Sequence, residues 1–154
     1  MQTSEHVHTD TLRKEVNRLK ELVKTTGTDV IARSCEQTGI YGFYTIDKQA
    51  GVDQLVICTN TVDMSDSDEV WEVISHEATH TMQACMGGPI FSDKFSPRMY
   101  RELRAIAPHY YRTLHRYRSS QQRIELEAFW MELQAPDLVI DTFKKSCYTQ
   151  EDNT

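Results

Sequence analysis

The chain has 154 residues, 39% of them hydrophobic and 26% charged, with a net charge of −6. That length builds one compact domain with its own core, and six glycines and four prolines fit neither a disordered nor a fibrous chain. No apolar run approaches the ~20 residues of a membrane span. The polar start, MQTSEHVHTDTLRKEV, carries no signal-peptide or transit pattern, so a cytoplasmic protein without membrane contact is expected.

Between Thr9 and about Thr25, the residues Leu12, Val16, Leu19, Leu22 and Val23 recur at helical spacing. Thr9 or Asp10 can cap the start of this helix, and Gly27 stops it. The period then changes. Ile40, Tyr41, Phe43, Tyr44 and Ile46 are β-branched or aromatic, the turn-rich DKQAGVD follows, and Leu55-Val56-Ile57-Cys58 comes next. Two antiparallel strands joined by a loop are predicted there. A second helix starts in Ser65-Asp66-Ser67-Asp68, where short oxygen side chains can cap free N–H groups and the acids favour the positive dipole end. It runs to about Met86, before Gly87-Gly88-Pro89. Residues 97–118 read as helix interrupted near Pro108, and a last long helix spans about Ser119 to Ala135, before Pro136. Residues 1–8 and about 145–154 are polar tails expected to fray. No repeat or linker divides the chain, so a single domain over 1–154 is expected. Helix, two or three strands and then three or more helices make an α+β domain, with most helices on one side of a small antiparallel sheet.

Charge is unevenly spread. Residues 94–123 hold Lys94, Arg98, Arg101, Arg104, Arg112, Arg116, Arg118 and Arg123 against one acid, Glu102, a net +7 that leaves −13 on the remainder. Solvated helix faces account for such a stretch, and so does a surface for an acidic partner. The four cysteines, Cys35, Cys58, Cys85 and Cys147, form no CxxC pair, and without a secretion signal they are expected to stay reduced, with Cys58 and Cys85 as small core residues.

The chemistry lies in Val73-Ile74-Ser75-His76-Glu77-Ala78-Thr79-His80-Thr81-Met82. On a helix, positions i and i+4 lie about 40° apart and ~6 Å along the axis, so His76 and His80 project side by side. Two neutral imidazoles can hold one zinc ion. Glu77 is turned about 100° from His76, too far for a comfortable ligand but within reach of a water on the ion, as a general base requires.

A third ligand must come from downstream, where Glu125, Glu127, His109 and His115 are available. On a helical wheel Glu125 falls within the arc of Ile124, Leu126, Ala128, Phe129, Met131 and Leu133, whereas Glu127 falls with Ser120, Arg123 and Gln134 on the polar side. A carboxylate in an apolar arc needs a partner to offset desolvation, and a metal is one such partner. Glu125 is therefore the better ligand, with His109 at the helix break and Glu127 as alternatives. Glu132, also on the buried side, could support a ligating His.

His76-Glu77-x-x-His80 is the HExxH signature of zinc metallopeptidases, with uncharged Ile74, Ala78, Thr79 and Thr81 around it. Gln83 and Met86 stand where the metzincin extension has Gly and His. With Arg123-Ile124-Glu125-Leu126-Glu127-Ala128 behind it, the chain resembles the gluzincins, and by its length the minimal single-domain minigluzincins. Glu125 and Ala128 match the family's E-x-x-A, while Phe129 stands where several families have Asp or Asn. The resemblance implies a zincin-like fold in which an edge strand, Leu55–Cys58 or Ile40–Ile46, pairs with extended substrate. It implies zinc on His76, His80 and Glu125, and hydrolysis of peptide or protein substrates with Glu77 as general base. An extra donor to the oxyanion is implied from the region of Tyr100, His109, Tyr110, Tyr111, His115 and Tyr117, but Tyr110, Leu114 and Tyr117 share a helix stripe and read as core. None is assigned.

Two other functions compete. One is a non-catalytic or latent zinc-stabilised binding module, in which the Cys147 thiolate could fill the open metal position. The other is a DNA-associated protease resembling the SprT-like enzymes, since HExxH lies near a basic segment that interleaves arginines with Tyr100, Tyr110, Tyr111 and Tyr117. The net charge of −6 weighs against nucleic acid as a partner.

Overall fold

A computed structural model describes residues 4–148, and the side chains of residues 8–148. The described residues form an α+β protein with six α-helices and one three-stranded mixed sheet. They divide after Thr81 into two compact units.

The first unit opens with α1 (Ser4–Thr25), on which Leu12, Val16, Leu19 and Val23 are all buried, as their spacing predicts. The helix starts at Ser4, upstream of the expected caps Thr9 and Asp10, so residues 4–8 belong to it and are no tail. Residues 1–3 lie outside the described residues. Gly27, at φ +87°, ends the run, and its N–H bonds to the Lys24 carbonyl.

Three strands follow: β1 (Asp29–Arg33), β2 (Gly42–Asp47) and β3 (Val52–Cys58), in spatial order β1-β3-β2. The β2–β3 hairpin is antiparallel, as expected. Its turn is set by Asp47, whose Oδ1 accepts the N–H of Gln49 and Ala50, and by Gly51 at φ +68°. The expectation of a purely antiparallel sheet is corrected by β1, which pairs in parallel with β3, Ile31 opposite Val56. The short Asp29–Arg33 stretch has no alternation strong enough to mark it, with Val30 and Ile31 the only β-branched residues. It becomes a strand because β3 still has an unpaired edge to satisfy.

Central β3 is buried on both faces: Leu55, Val56, Ile57 and Cys58 have no exposed surface. Val56 and Cys58 cluster with Cys35, Ile31, Ile40 and Phe43 on one side, so Leu55 and Ile57 face the other. The loop carrying Cys35 is held by the Cys35–Cys58 disulfide and by Asn60, which accepts the Cys35 N–H and donates to its carbonyl. At the other end of the sheet, Asp53 accepts hydrogen bonds from Tyr44 and Thr28, each at 2.9 Å, and burial with this acidic neighbour raises the Tyr44 pKa above its ordinary range.

Helix α2 (Ser67–Met86) is capped as predicted, with Asp66 Oδ1 accepting the N–H of Asp68 and Glu69. It runs across the boundary between the units and stops at Gly87, φ +76°.

In the second unit a short 3-10 turn (Asp93–Phe95) leads into α3 (Ser96–Ile106) and α4 (Pro108–Leu114), separated at Pro108 as expected. With α5 (Ser119–Glu132) they bury Met99, Leu103, Ala107, Leu114, Leu126 and Phe129 in one cluster. Trp130 Nε1 donates to Glu102 at 2.6 Å and Arg98 to its other oxygen at 3.0 Å, which holds that carboxyl below its ordinary pKa.

The sequence expectation stopped at Pro136, but α6 (Pro136–Cys147) follows. Pro136 begins this helix rather than ending the previous one alone, and Val139, Ile140 and Phe143 bury its inner face. Residues 145–147 are therefore helical and no frayed tail, while 149–154 lie outside the described residues. The expected reduced cysteines are also corrected. Cys35 pairs with Cys58 and Cys85 with Cys147, closing loops 23 and 62 residues apart in sequence. No helix among the described residues is long and apolar enough to cross a membrane.

Two outcomes test these pairings. Intact-mass measurement before and after reduction under denaturing conditions is expected to show uptake of four hydrogens, from two disulfides. In the chain-entropy account, replacing both Cys85 and Cys147 by Ser costs about 4 kcal/mol and replacing Cys35 and Cys58 about 3 kcal/mol, measured by denaturant unfolding.

Candidate metal centre

Helix α2 is buried along most of its surface. Val70, Trp71, Val73, Ile74, Ala78 and Met82 supply the apolar part. Its buried hydroxyls are mostly satisfied within the helix, Ser75 donating to the Trp71 carbonyl and Thr79 to the Ser75 carbonyl, both at 2.7 Å. The open stripe runs through Glu72, His76, His80 and Ala84, at successive i+4 steps.

Both histidines of the motif thus lie on the one stripe where a ligand can reach them. Their rings are 5.2 Å apart between centroids and nearly perpendicular, at 77°. One donor atom from each of His76, Glu77 and His80 falls within 4.8 Å of the others. The three residues could hold a metal ion, and two imidazoles with a carboxylate beside them are a donor set that zinc accepts.

Glu77 itself is buried, 7% exposed, and what it packs against is the start of the edge strand. A Cβ at Gly42 would stand 3.5 Å from Glu77 Cγ, 2.8 Å from Val73 Cγ1 and 2.6 Å from the Val56 carbonyl oxygen. Only glycine lets β2 lie this close to α2. In the sequence Gly42 is marked only as a lone Gly within an alternating aromatic run.

The downstream candidates lie in the second unit. Glu125 is on α5 and half-buried. Glu127, expected on the polar face, is instead fully buried. Its carboxylate accepts the backbone N–H of Ile90 at 2.8 Å and of Phe91 at 2.7 Å, and Gln83 Nε2 at 3.0 Å. The reason is the loop after α2, which lays two backbone N–H groups over this side of α5, where a wheel of apolar residues records nothing. Arg123 donates to the Phe91 carbonyl and secures the same loop. Glu127 is thereby committed to the backbone.

His109 is exposed beside the Tyr110 ring, and His115 Nδ1 lies 2.8 Å from the Tyr111 carbonyl. Tyr110 stacks on Phe129 and donates to Glu132, as a core residue with a satisfied hydroxyl does, whereas Tyr117 is 36% exposed and no core residue, because α4 ends at Leu114. Cys147, considered as a thiolate over the metal position, is spent in its disulfide with Cys85.

A family model described as a domain of unknown function, DUF8637, matches residues 9–148. The chain belongs to the DUF8637 family. Neither a curated protein nor a solved structure matches this DUF8637 chain.

Two substitutions probe this framework. Gly42→Ala is expected to cost about 1–3 kcal/mol through forced separation of strand and helix, read by thermal or denaturant unfolding. Glu127→Ala strands three donors and is expected to cost about 3 kcal/mol or more, with Glu127→Gln in between.

Proposed function

We propose that this protein is a zinc-dependent peptidase of the zincin type, with His76 and His80 as ligands and Glu77 as general base. The observation that carries the reading is the placement of His76, Glu77 and His80, with both imidazoles on the open stripe of an otherwise buried helix, a donor atom of each within 4.8 Å of the others, and Glu77 Cγ beside the start of an edge strand. By the sequence resemblance Glu125 is the third ligand, and the commitment of Glu127 to backbone N–H groups removes its nearest rival.

A zinc ion held there would supply Lewis acidity, polarising a carbonyl and lowering the pKa of a water to about 7. The rest is the work of the chain. The Glu77 carboxylate takes a proton as water adds to the scissile carbonyl, and returns it to the departing amine nitrogen. Glu77 is buried with its Cγ beside Gly42, which narrows the side-chain conformations open to it before substrate arrives.

The substrate strand would add to β2. Leu55–Cys58, the other candidate, belongs to β3, which is paired along both edges. Strand β2 lies at an edge of the sheet, with no strand on its outer side among the described residues, and Gly42 at its start packs against Glu77. An extended peptide paired there would run past the base. The two disulfides favour an oxidising compartment as the place of action over the cytoplasm expected from the N-terminal sequence.

Metal analysis of the purified protein is expected to give about one zinc per chain, lost in His76→Ala and in Glu125→Ala. Zinc retained in Glu125→Ala moves the third ligand to His109. Glu77→Gln is expected to keep zinc and lose about 100-fold or more of peptide-library cleavage. Absence of zinc after reconstitution, or full cleavage by Glu77→Gln, overturns the proposal.

A further inference from the structure

The +7 segment at residues 94–123 plays no part in the metal centre, and within the second unit its charges are unequally used. The lone acid, Glu102, has both oxygens engaged, by Arg98 and by Trp130. Arg123 donates to the Phe91 carbonyl and lies 3.9 Å from Asp93. Arg112, Arg116 and Arg118 are exposed and have no carboxylate partner among the described residues. Solvated cations that neutralise their own acidic neighbours would be paired; these are not.

The aromatic residues between them form part of the same surface. The Arg104 guanidinium lies over the Tyr111 ring, 5.8 Å from its centroid. Tyr111 meets Tyr100 edge-on at 6.4 Å and His115 at 4.7 Å. Directly after His115 comes Arg116-Tyr117-Arg118, an aromatic between two exposed guanidiniums. Backbone bonds fix this turn: the Tyr117 N–H donates to the Leu114 carbonyl, and Gln122 Nε2 donates to the Tyr117 carbonyl. Ring and guanidinium contacts therefore join α3 to α4 through Tyr111, and the chain carries the series on to the exposed Arg116 and Arg118 before α5.

We infer that this face binds single-stranded nucleic acid. Seven of the eight cations are arginine, whose planar fork suits phosphate oxygens and stacks on rings. An acidic polypeptide would need the charge alone. Rings interleaved with the charges offer faces on which unpaired bases can stack, and they are fixed before binding. The −13 carried by the rest of the chain repels a polyanion elsewhere and confines it to this path.

The test uses the full chain and a fluorescein-labelled single-stranded oligothymidylate, followed by fluorescence anisotropy across a salt series. Binding at low salt that weakens steeply as salt rises is expected. In Arg116→Ser/Arg118→Ser the slope of log affinity against log salt should fall by about 1.4, the loss of two phosphate contacts. Tyr117→Leu should weaken binding about fivefold or more through lost stacking, with the unfolding transition of each variant checked against wild type. No binding at low salt overturns the inference. So does equal competition by polyglutamate or by duplex DNA, and so does wild-type affinity in the double arginine variant. The readout is independent of zinc and cleavage, so failure of the peptidase proposal leaves it standing.

Discussion

The burial of β3 on both faces is the constraint from which the first unit follows. Leu55, Val56, Ile57 and Cys58 expose nothing, so cover is required above and below and pairing is required along both edges. Strand β1 and strand β2 supply the edges. One face is closed by the loop that Cys35 and Asn60 fasten. On the other, β2 meets α2 with no room for a side chain at Gly42. That close approach also places Glu77 Cγ beside Gly42, so the packing that covers the strand brings the candidate base next to edge strand β2.

The second unit solves a different problem. Its helices are joined by loops whose backbone N–H groups have no ladder to enter. Glu127 takes two of them together with Gln83, and Arg123 takes the Phe91 carbonyl between. A buried carboxylate with three donors is stable where an unpaired one is not. The Cys85–Cys147 link fastens the last turn of α2 to the end of α6 in the same unit. Both devices act at the end of α2 and on the loop that follows it. Within this unit Glu127 is spent on structure, its carboxylate taken up by the Ile90 and Phe91 N–H groups and by Gln83.

Helix α2 shows why the motif is more than a spacing. A helix with two histidines four residues apart is ordinary when the histidines face solvent or sit among polar neighbours. Here most of the helix is buried and Ser75 and Thr79 turn their hydroxyls back onto carbonyls of the preceding turn, while both imidazoles lie half-buried on the open stripe. The basic face of α3 and α4 is built on the opposite principle. Arg98 is paired with Glu102, but the Arg104 guanidinium lies over the Tyr111 ring, and Arg112 and Arg116 are exposed.

Much of this was legible in the residues. The spacing of Leu12, Val16, Leu19 and Val23 determined α1, Asp66 and Gly87 bounded α2, Asp47 and Gly51 turned the hairpin, and Pro108 split α3 from α4. The side-by-side placement of His76 and His80 is also local, because helix geometry fixes it over four residues. Tertiary structure decided the rest. Strand β1 exists because β3 has a second edge, and the cysteine pairs depend on chain segments meeting across 23 and 62 residues. Glu127 is buried because a loop brings two N–H groups to it, whereas a helical wheel weighs only the side chains of its own helix. Periodicity reports which face of an element is apolar; it cannot report which distant backbone groups that face must satisfy, and those groups determined where Glu127, Gly42 and the cysteines stand.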